Sequence, residues 1–305
     1  NRYTFRASVR ADGYYVRDFE RPVQGDVFTG TVGRFVPEAS LEWRMPFVND
    51  QWGIHQVLEP IVMGVVSPIG LNYDSIPNED SLDLEFDDTN LFQSQRFAGL
   101  DRVESGPRIN YGLRWSAYNG QGGTVSALVG QVYRFHDDPA FSPLSGLDGH
   151  LSDYVGRIDV SPHPYVSLQY RFRLDKKTLA NRRSEVSAAI GPSLLRLRAN
   201  YVFLEADTSP TSPGDTEELY VSLSSRLSRN WSVMASHREN LGPGGGGIRT
   251  NLGLTYEDEC VIIGLDVAND STQDRDFRQG VSVLFRINLK TIGDISFNTD
   301  IGARR

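Results

Sequence analysis

Few side chains in this sequence stand where chemistry could start. His136, Asp137 and Asp138 run together in a polar segment, and an imidazole beside a carboxylate could activate water for hydrolysis. A solvated loop has the same composition. Ser236 and His237 come nearest to a nucleophile with its base, but neighbours on an extended strand point to opposite faces. Asp80, Asp83, Glu85, Asp87, Asp88 and Asn90 gather oxygens of the kind calcium and magnesium accept, without the spacing of a known calcium loop. His55, His150 and His163 are scattered, with no metal-ligand spacing. The glycine-rich stretch 242–247 lacks the lysine-serine ending of a phosphate loop. These residues point to a non-enzymatic chain with no cofactor and no metal. What remains is a recurring set of arginines (Arg6, Arg114, Arg171, Arg196, Arg226 and Arg286) and the single Cys260, which cannot form a disulfide within the chain.

The arginines recur on one side of alternating stretches. Ile109, Tyr111, Leu113, Trp115 and Ala117 interleave with Asn110, Gly112, Arg114 and Ser116. Val166, Leu168, Tyr170 and Phe172 interleave with Ser167, Gln169, Arg171 and Arg173, and Leu195 to Phe203 with Arg196, Arg198 and Asn200. Period two means strands with one apolar and one polar face. A soluble sandwich alternates too, but its core could not take repeated unpaired arginines, and strands of roughly 9 to 12 residues suit a bilayer better than a soluble sheet. A water-filled lumen accepts arginines. There they could contact phosphate or sugar, meet acids of a plug, or merely balance inward acids such as Asp159 and Asp266. The net charge of −8 argues against a nucleic-acid partner. No stretch reaches the ~20 apolar residues of a spanning helix, the longest apolar run being Ile61 to Val66.

About fourteen strands can be laid out, and the connections alternate. Short ones fall at 48–51, 119–123, 162–164, 192, 228–230 and 257–259; long ones at 17–32, 68–102, 136–152, 175–183, 206–216, 239–246 and 269–276. Outer-membrane barrels have short periplasmic turns and longer outside loops. The expected fold is therefore all-β, an antiparallel transmembrane outer-membrane β-barrel, with residues 1–290 in the barrel and 291–305 as a tail. The chain opens at Asn1-Arg2 without a signal peptide, and reads as part of a longer protein.

Between Leu58 and Leu113 a set of short motifs stands in order: Leu58-Glu59-Pro60, then Phe86-Asp87-Asp88-Thr89-Asn90-Leu91-Phe92, then Arg96-Phe97-Ala98-Gly99-Leu100-Asp101-Arg102-Val103-Glu104, then Tyr111-Gly112-Leu113. As a set they resemble the barrel domain of the LptD family, the lipopolysaccharide-assembly or organic-solvent-tolerance proteins. The likeness extends over about residues 30 to 290.

The resemblance implies an integral protein of the bacterial outer membrane that inserts lipopolysaccharide into the outer leaflet through a lateral gate. It also implies a larger barrel of about 26 strands, of which the C-terminal part would be present here. Its partners would be an LptE-type plug lipoprotein, an LptA-type periplasmic bridge, lipopolysaccharide and membrane lipids. The gate wall would be the last strand, with Val281, Val283, Phe285, Ile287 and Leu289 on one face. Family members commonly carry adjacent cysteines near this end; here Glu259 precedes Cys260. A disulfide from Cys260 to an N-terminal periplasmic domain is the expectation, since the periplasm is oxidising, and a free thiol acting as a small apolar residue is the other reading. The competing function is a self-contained porin or ligand-transport barrel of about fourteen strands.

Overall fold

The structure, a computed structural model, describes residues 1–51, 53–81, 84–142, 145–205, 214–271, 279–291 and 293–301, with backbone alone for 298, 300 and 301. Sixteen strands are found among the described residues: β1 Arg2–Glu20, β2 Val27–Arg44, β3 Phe47–Gln51, β4 Ile54–Val66, β5 Arg108–Asn119, β6 Thr124–Arg134, β7 Tyr154–His163, β8 Val166–Leu174, β9 Asn181–Ile190, β10 Leu195–Leu204, β11 Thr216–Arg226, β12 Trp231–Asn240, β13 Gly246–Glu257, β14 Val261–Asp270, β15 Gly280–Leu289 and β16 Gly293–Ile301. They form one sheet in chain order, except that β2 and the short β3 both pair with β4. Among the described residues no helix is long and apolar enough to cross a membrane.

Three departures from the sequence reading have physical causes. The expected turn at 48–51 is β3, the continuation of β2 after a break at Met45-Pro46. Proline has no N–H for the ladder, and only Met45 bridges the gap, donating its N–H to the Pro60 carbonyl at 3.2 Å. The expected loop 17–32 shrinks to 21–26, because β1 and β2 run on as a hairpin of 19 and 18 residues. Its ladder survives a register shift between Val16 and Phe19, where Asp18 takes a φ of 51°. Finally, residues 291–305, expected as a tail, include β16, which pairs with β15 from Val281↔Ile301 to Leu289↔Gly293.

The strands fall into two compact units, residues 1–159 with 171–183 and 205–213, and residues 160–170 with 184–204 and 214–305. In the first unit the two faces of the sheet differ in kind. Phe5 sits opposite Leu41, Ala11 opposite Phe35 and Leu113 opposite Val129; on this face Phe5 is 70% exposed and Phe35 60%. On the other face Thr4 lies opposite Glu42, Asp12 opposite Arg34, Glu59 opposite Arg114 and Arg108 opposite Arg134. Here Glu42, Arg34, Arg108 and Arg134 are buried. Exposed aromatic and buried arginine invert the rule for a water-soluble sheet. They fit a sheet whose solvent on the apolar side is lipid.

The second unit repeats the pattern. One apolar row runs across it in register, Leu197↔Leu223↔Ala235↔Leu252↔Val267↔Val283, with a parallel row Leu254↔Leu265↔Phe285↔Phe297 beside it. The reverse face carries Arg198 opposite Ser222, Ser222 opposite Ser236 and Ser236 opposite Asn251.

Candidate functional site: a clasped loop on the polar face

Residues 67–107 leave β4, pack on the polar face of the first unit and return as β5. The loop has an apolar anchor: Phe86, Leu91, Val132, Phe141, Leu147 and Val155 form a buried cluster, with Leu84, Phe92 and Phe97 packed against it. Asp87 and Asn90 shape the turn that delivers Leu91 and Phe92. The Asp87 N–H donates to Asn90 Oδ1 (3.1 Å), the Asn90 N–H to Asp87 Oδ1 (3.2 Å), and Asn90 Nδ2 to the Glu85 carbonyl (2.6 Å). The receiving surface is flat because Gly112 and Gly130 face each other in register. A Cβ on Gly130 would stand 2.4 Å from Leu91 Cδ2, and one on Gly112 3.1 Å from Phe92 Cζ. This explains why the Asn-Leu-Phe and Tyr-Gly-Leu motifs occur together.

A second tie is reciprocal. Asp80 accepts the N–H groups of Leu100 (2.7 Å) and Asp101 (3.0 Å), while Asp101 Oδ2 accepts those of Glu79 (2.8 Å) and Asp80 (3.3 Å). The Leu100 and Asp101 amides hold the Asp80 carboxyl down at about 2. Gly99 is the only residue type that fits, since a Cβ there would meet Asp80 Oδ1 at 2.1 Å and the Asp80 carbonyl oxygen at 2.4 Å. The clasp then docks on the β1–β2 hairpin. Arg34 donates to the carbonyls of Asp101 (2.9 Å) and Leu100 (2.5 Å), and the Tyr14 hydroxyl also donates to Leu100 (3.0 Å). Asp12 aims both Arg34 (2.8 Å) and Arg10 (2.7 Å).

The third tie is ionic and dry. Glu104 Oε1 meets Arg96 Nη1 at 2.5 Å, has Arg108 Nε at 3.1 Å and pairs with Arg134. Arg108 also lies 3.8 Å from Glu38. The side chains of Glu104, Arg96 and Arg108 are fully buried. Glu104 Oε2 and Arg108 Nε have no hydrogen-bond partner; Arg108 Nε is close to the carboxylate without hydrogen-bond geometry. Burial works to raise the Glu104 carboxyl, but Arg108, Arg96 and Arg134 outweigh it and leave it below the ordinary range. Burial pushes Arg96 down to about 10 in spite of Glu104.

The motif residues singled out in the sequence thus mostly serve one structure. Asn90, Leu91, Phe92, Arg96, Phe97, Gly99, Leu100, Asp101 and Arg102 all lie in this loop: Phe97 stacks on Phe141 with centroids 5.2 Å apart, and Arg102 donates to the Ile76 carbonyl at 3.0 Å. Glu59 and Pro60 stand apart on β4, where Glu59 lies 3.8 Å from both Arg44 and Arg114. Arg34 and Arg134 were not among the candidates; their position on the polar face was readable from the alternation, their partners were not.

The candidate chemistry disperses. Asp138 is occupied by the Ser105 amide (3.0 Å) and hydroxyl (2.9 Å). His237 lies 2.9 Å from Thr250 Oγ1, while Ser236 turns the other way and accepts from Asn251 Nδ2 at 3.2 Å. In the oxygen-rich segment Asp87 and Asp88 bind Arg171 (3.0 and 2.7 Å) and Glu85 binds Arg183 (2.5 Å); Asp83 lies outside the described residues.

In the second unit Cys260 is a free, exposed thiol at the β13–β14 turn, where Asp258 Oδ1 accepts its N–H (2.8 Å) and that of Val261 (2.9 Å). It lines a groove of about 780 Å3 with Arg226, Arg229, Glu257 and Lys290. Val281, Val283, Phe285, Ile287 and Leu289 lie on β15, which is paired on both sides, by β14 and β16. They are not on an edge, and the terminal strand among the described residues is β16.

A family model described as LptD, LPS transport system D, matches residues 2–231. LPS-assembly protein LptD of Haemophilus ducreyi is 25% identical over 267 residues, covering 78% of this chain and 33% of its own length. Its namesake in Vibrio cholerae is 23% identical over 323 residues, 95% of this chain and 40% of its own length. A third, from Pseudomonas fluorescens, is 32% identical over 185 residues. Among solved structures a mutant porin of Rh. blastica covers 99% of this chain and 95% of its own, at 12% identity and a TM-score of 0.37, a likeness that carries no argument. The chain spans 33% to 40% of the length of the first two relatives it matches.

Proposed function

The chain belongs to the LptD family and is part of an integral outer-membrane barrel, and on that premise we propose that it helps deliver lipopolysaccharide to the outer leaflet, as a translocon wall and not as an enzyme. The observation that carries this reading is the placement of the motif residues. From Asn90 to Arg102 they hold one loop across the charged face of strands whose other face is apolar and exposed. Such a wall meets lipid on one side and guards a polar interior on the other. The porin reading rests on strand number alone, and no contact described above favours it.

Lateral release requires a seam that can part. Within a bilayer an unpaired strand edge is not tolerated, so the free edge of β16 pairs, in this reading, with the first strand of the full barrel. The gate belongs to that seam, and β15 with Val281, Val283, Phe285, Ile287 and Leu289 backs it. Cys260, exposed at a short turn, forms a disulfide to a periplasmic domain of the full-length protein. An LptE-type lipoprotein plugs the barrel and an LptA-type bridge supplies the lipid.

The test is a cysteine lock between β16 and the first barrel strand of the full-length protein, in cells depleted of the native copy. Oxidation should stop new lipopolysaccharide from reaching the surface of intact cells, and a reductant should restore it. Undiminished arrival with the lock formed refutes the gate; unchanged surface lipopolysaccharide on depletion alone refutes the transport reading.

A further inference from the structure

Most arginines on this sheet face a carboxylate. In the first unit Arg10, Arg34, Arg44, Arg96, Arg108, Arg114 and Arg134 each have one within 4 Å, and in the second so do Arg238, Arg249 and Arg286. Arg2 and Arg6 at the start of β1 have none, and in the second unit Arg196, Arg198 and Arg226 have none. All three lie on the polar face of the second unit, near its short-turn end. Arg198 is opposite Ser222 and Arg196 opposite Ser224; the Arg226 amide donates to the Leu194 carbonyl at 3.0 Å, one step beyond the Leu195↔Ser225 pair. Alternate residues on a strand, and diagonal residues across a pair, stand about 7 Å apart. Arg196 therefore has Arg198 on one side and Arg226 on the other at about that spacing, with Arg198 and Arg226 about twice as far from each other. Glu257, Asp258 and Glu259 line a groove with Arg226, yet none comes within 4 Å of it, and Glu257 is taken by Lys290 at 2.8 Å. Arg196 Nε is closed to solvent with no hydrogen-bond partner.

Like charges crowded without a counter-charge oppose folding, and their placement calls for an anion. We propose that Arg196, Arg198 and Arg226 form a binding site for a phosphorylated saccharide headgroup. Guanidinium groups bind phosphate through paired, charge-assisted N–H···O bonds. Around them lie the small hydroxyl residues Ser222, Ser224 and Ser232, which can hydrogen-bond sugar, and the exposed Met234, opposite Ser224 on the same face, which offers an apolar side to a sugar ring. The site rests on the lipopolysaccharide reading and deepens it: it assigns contact with the phosphate-bearing part of the molecule to the short-turn end of the polar face of the second unit.

The test uses the full-length protein purified with its partner lipoprotein. Affinity is measured for lipopolysaccharide, for the same glycolipid after phosphatase treatment, and for inorganic pyrophosphate. The native protein should prefer the phosphorylated glycolipid by about tenfold or more, the scale expected of two or three charge-assisted bonds. Changing Arg196, Arg198 and Arg226 together to Gln should abolish that preference, while Arg238→Gln with Arg249→Gln, at the other end of the same face, should keep it. Heat-modifiable gel mobility checks that each variant is folded, and single Arg→Gln changes serve if the triple variant is not. Competition by pyrophosphate at similar affinity would assign the site to free phosphate and overturn the saccharide part. Equal preference in the triple variant overturns the site. Loss of the partner lipoprotein with the preference intact would assign the arginines to an acidic protein surface. If the native protein binds neither glycolipid, the transport reading fails instead.

Discussion

Glu104→Gln is the most informative single change in the loop. The side chain is fully buried and its Oε1 is shared by Arg96, Arg108 and Arg134. Gln keeps the shape and one acceptor but removes the charge. Glu38 then remains as the nearest carboxylate, at 3.8 Å from Arg108. Breaking a buried ion pair by removing one partner costs about 3 to 5 kcal/mol, because it strands charge where water cannot reach. The apolar anchor and the Asp80–Asp101 clasp do not depend on Glu104, so the barrel should still assemble. The loss should appear as partial release of 94–108 and weaker docking of the whole loop. Limited proteolysis of folded protein in detergent, with the fragments identified by mass spectrometry, reads this directly. Cleavage within 77–107 should rise by at least about tenfold, with gel mobility still that of a folded barrel. A second variant guards the logic: Glu104→Leu with Arg134→Leu removes opposite charges together and should be less harmful than Glu104→Gln. The reasoning is wrong if Glu104→Gln leaves cleavage unchanged, or if the double variant is the worse of the two.

Three further outcomes are expected. Gly99→Ala forces a Cβ to 2.1 Å from Asp80 Oδ1 and should destabilise the docked loop by about 1 to 3 kcal/mol; hydrogen exchange of the amides at 79–80 and 100–101 will show faster opening, and native-like protection would contradict the clasp. Acid should loosen the same clasp: with the Asp80 carboxyl lowered to about 2, its stabilising share is full above the ordinary carboxylate range and is lost as pH falls toward 2, so exchange at Leu100 and Asp101 should accelerate over that window and not between pH 6 and 8. On the second unit Leu252→Arg, on the exposed apolar face, should cost about 2 to 4 kcal/mol in equilibrium refolding into bilayers, while Met234→Arg, on the polar face, should cost far less; equal costs would mean that the faces are wrongly assigned.

The faces and their order along the chain were legible because period-two alternation is a local signal. Arg114, Arg171, Arg196, Arg226 and Arg286 all sat on the side that the pattern implied. Lengths were harder to read. Gly25 and Gly30 both look like turn residues, yet Gly30 lies inside β2, held by pairing with Val16. Pro46 marked a break that could be taken equally for a turn. β16 follows β15 so closely that its few apolar residues, Ile295 and Phe297, passed as tail. The site itself was visible only as a resemblance. Nothing in the spacing of Asp80 and Asp101, or of Glu104 and Arg134, says that they meet, because each contact spans about 20 to 30 residues of chain and depends on where the sheet brings the loop down.

The long loop also bears on how the chain assembles. Local hairpins such as β5–β6 close over the turn at 120–123, whereas β4 and β5 meet only after 67–107 has been brought round. The span is roughly ten times longer, and closing it costs about 2 kcal/mol more in chain entropy. Barrel strands that zip one neighbour at a time would therefore stall at this seam. A reciprocal tie between 79–80 and 100–101 cuts the free length before the seam forms. Formed early, it would act as an internal template that sets the pace of folding, and the motif residues would then be held in place by the kinetics of assembly as well as by the finished wall.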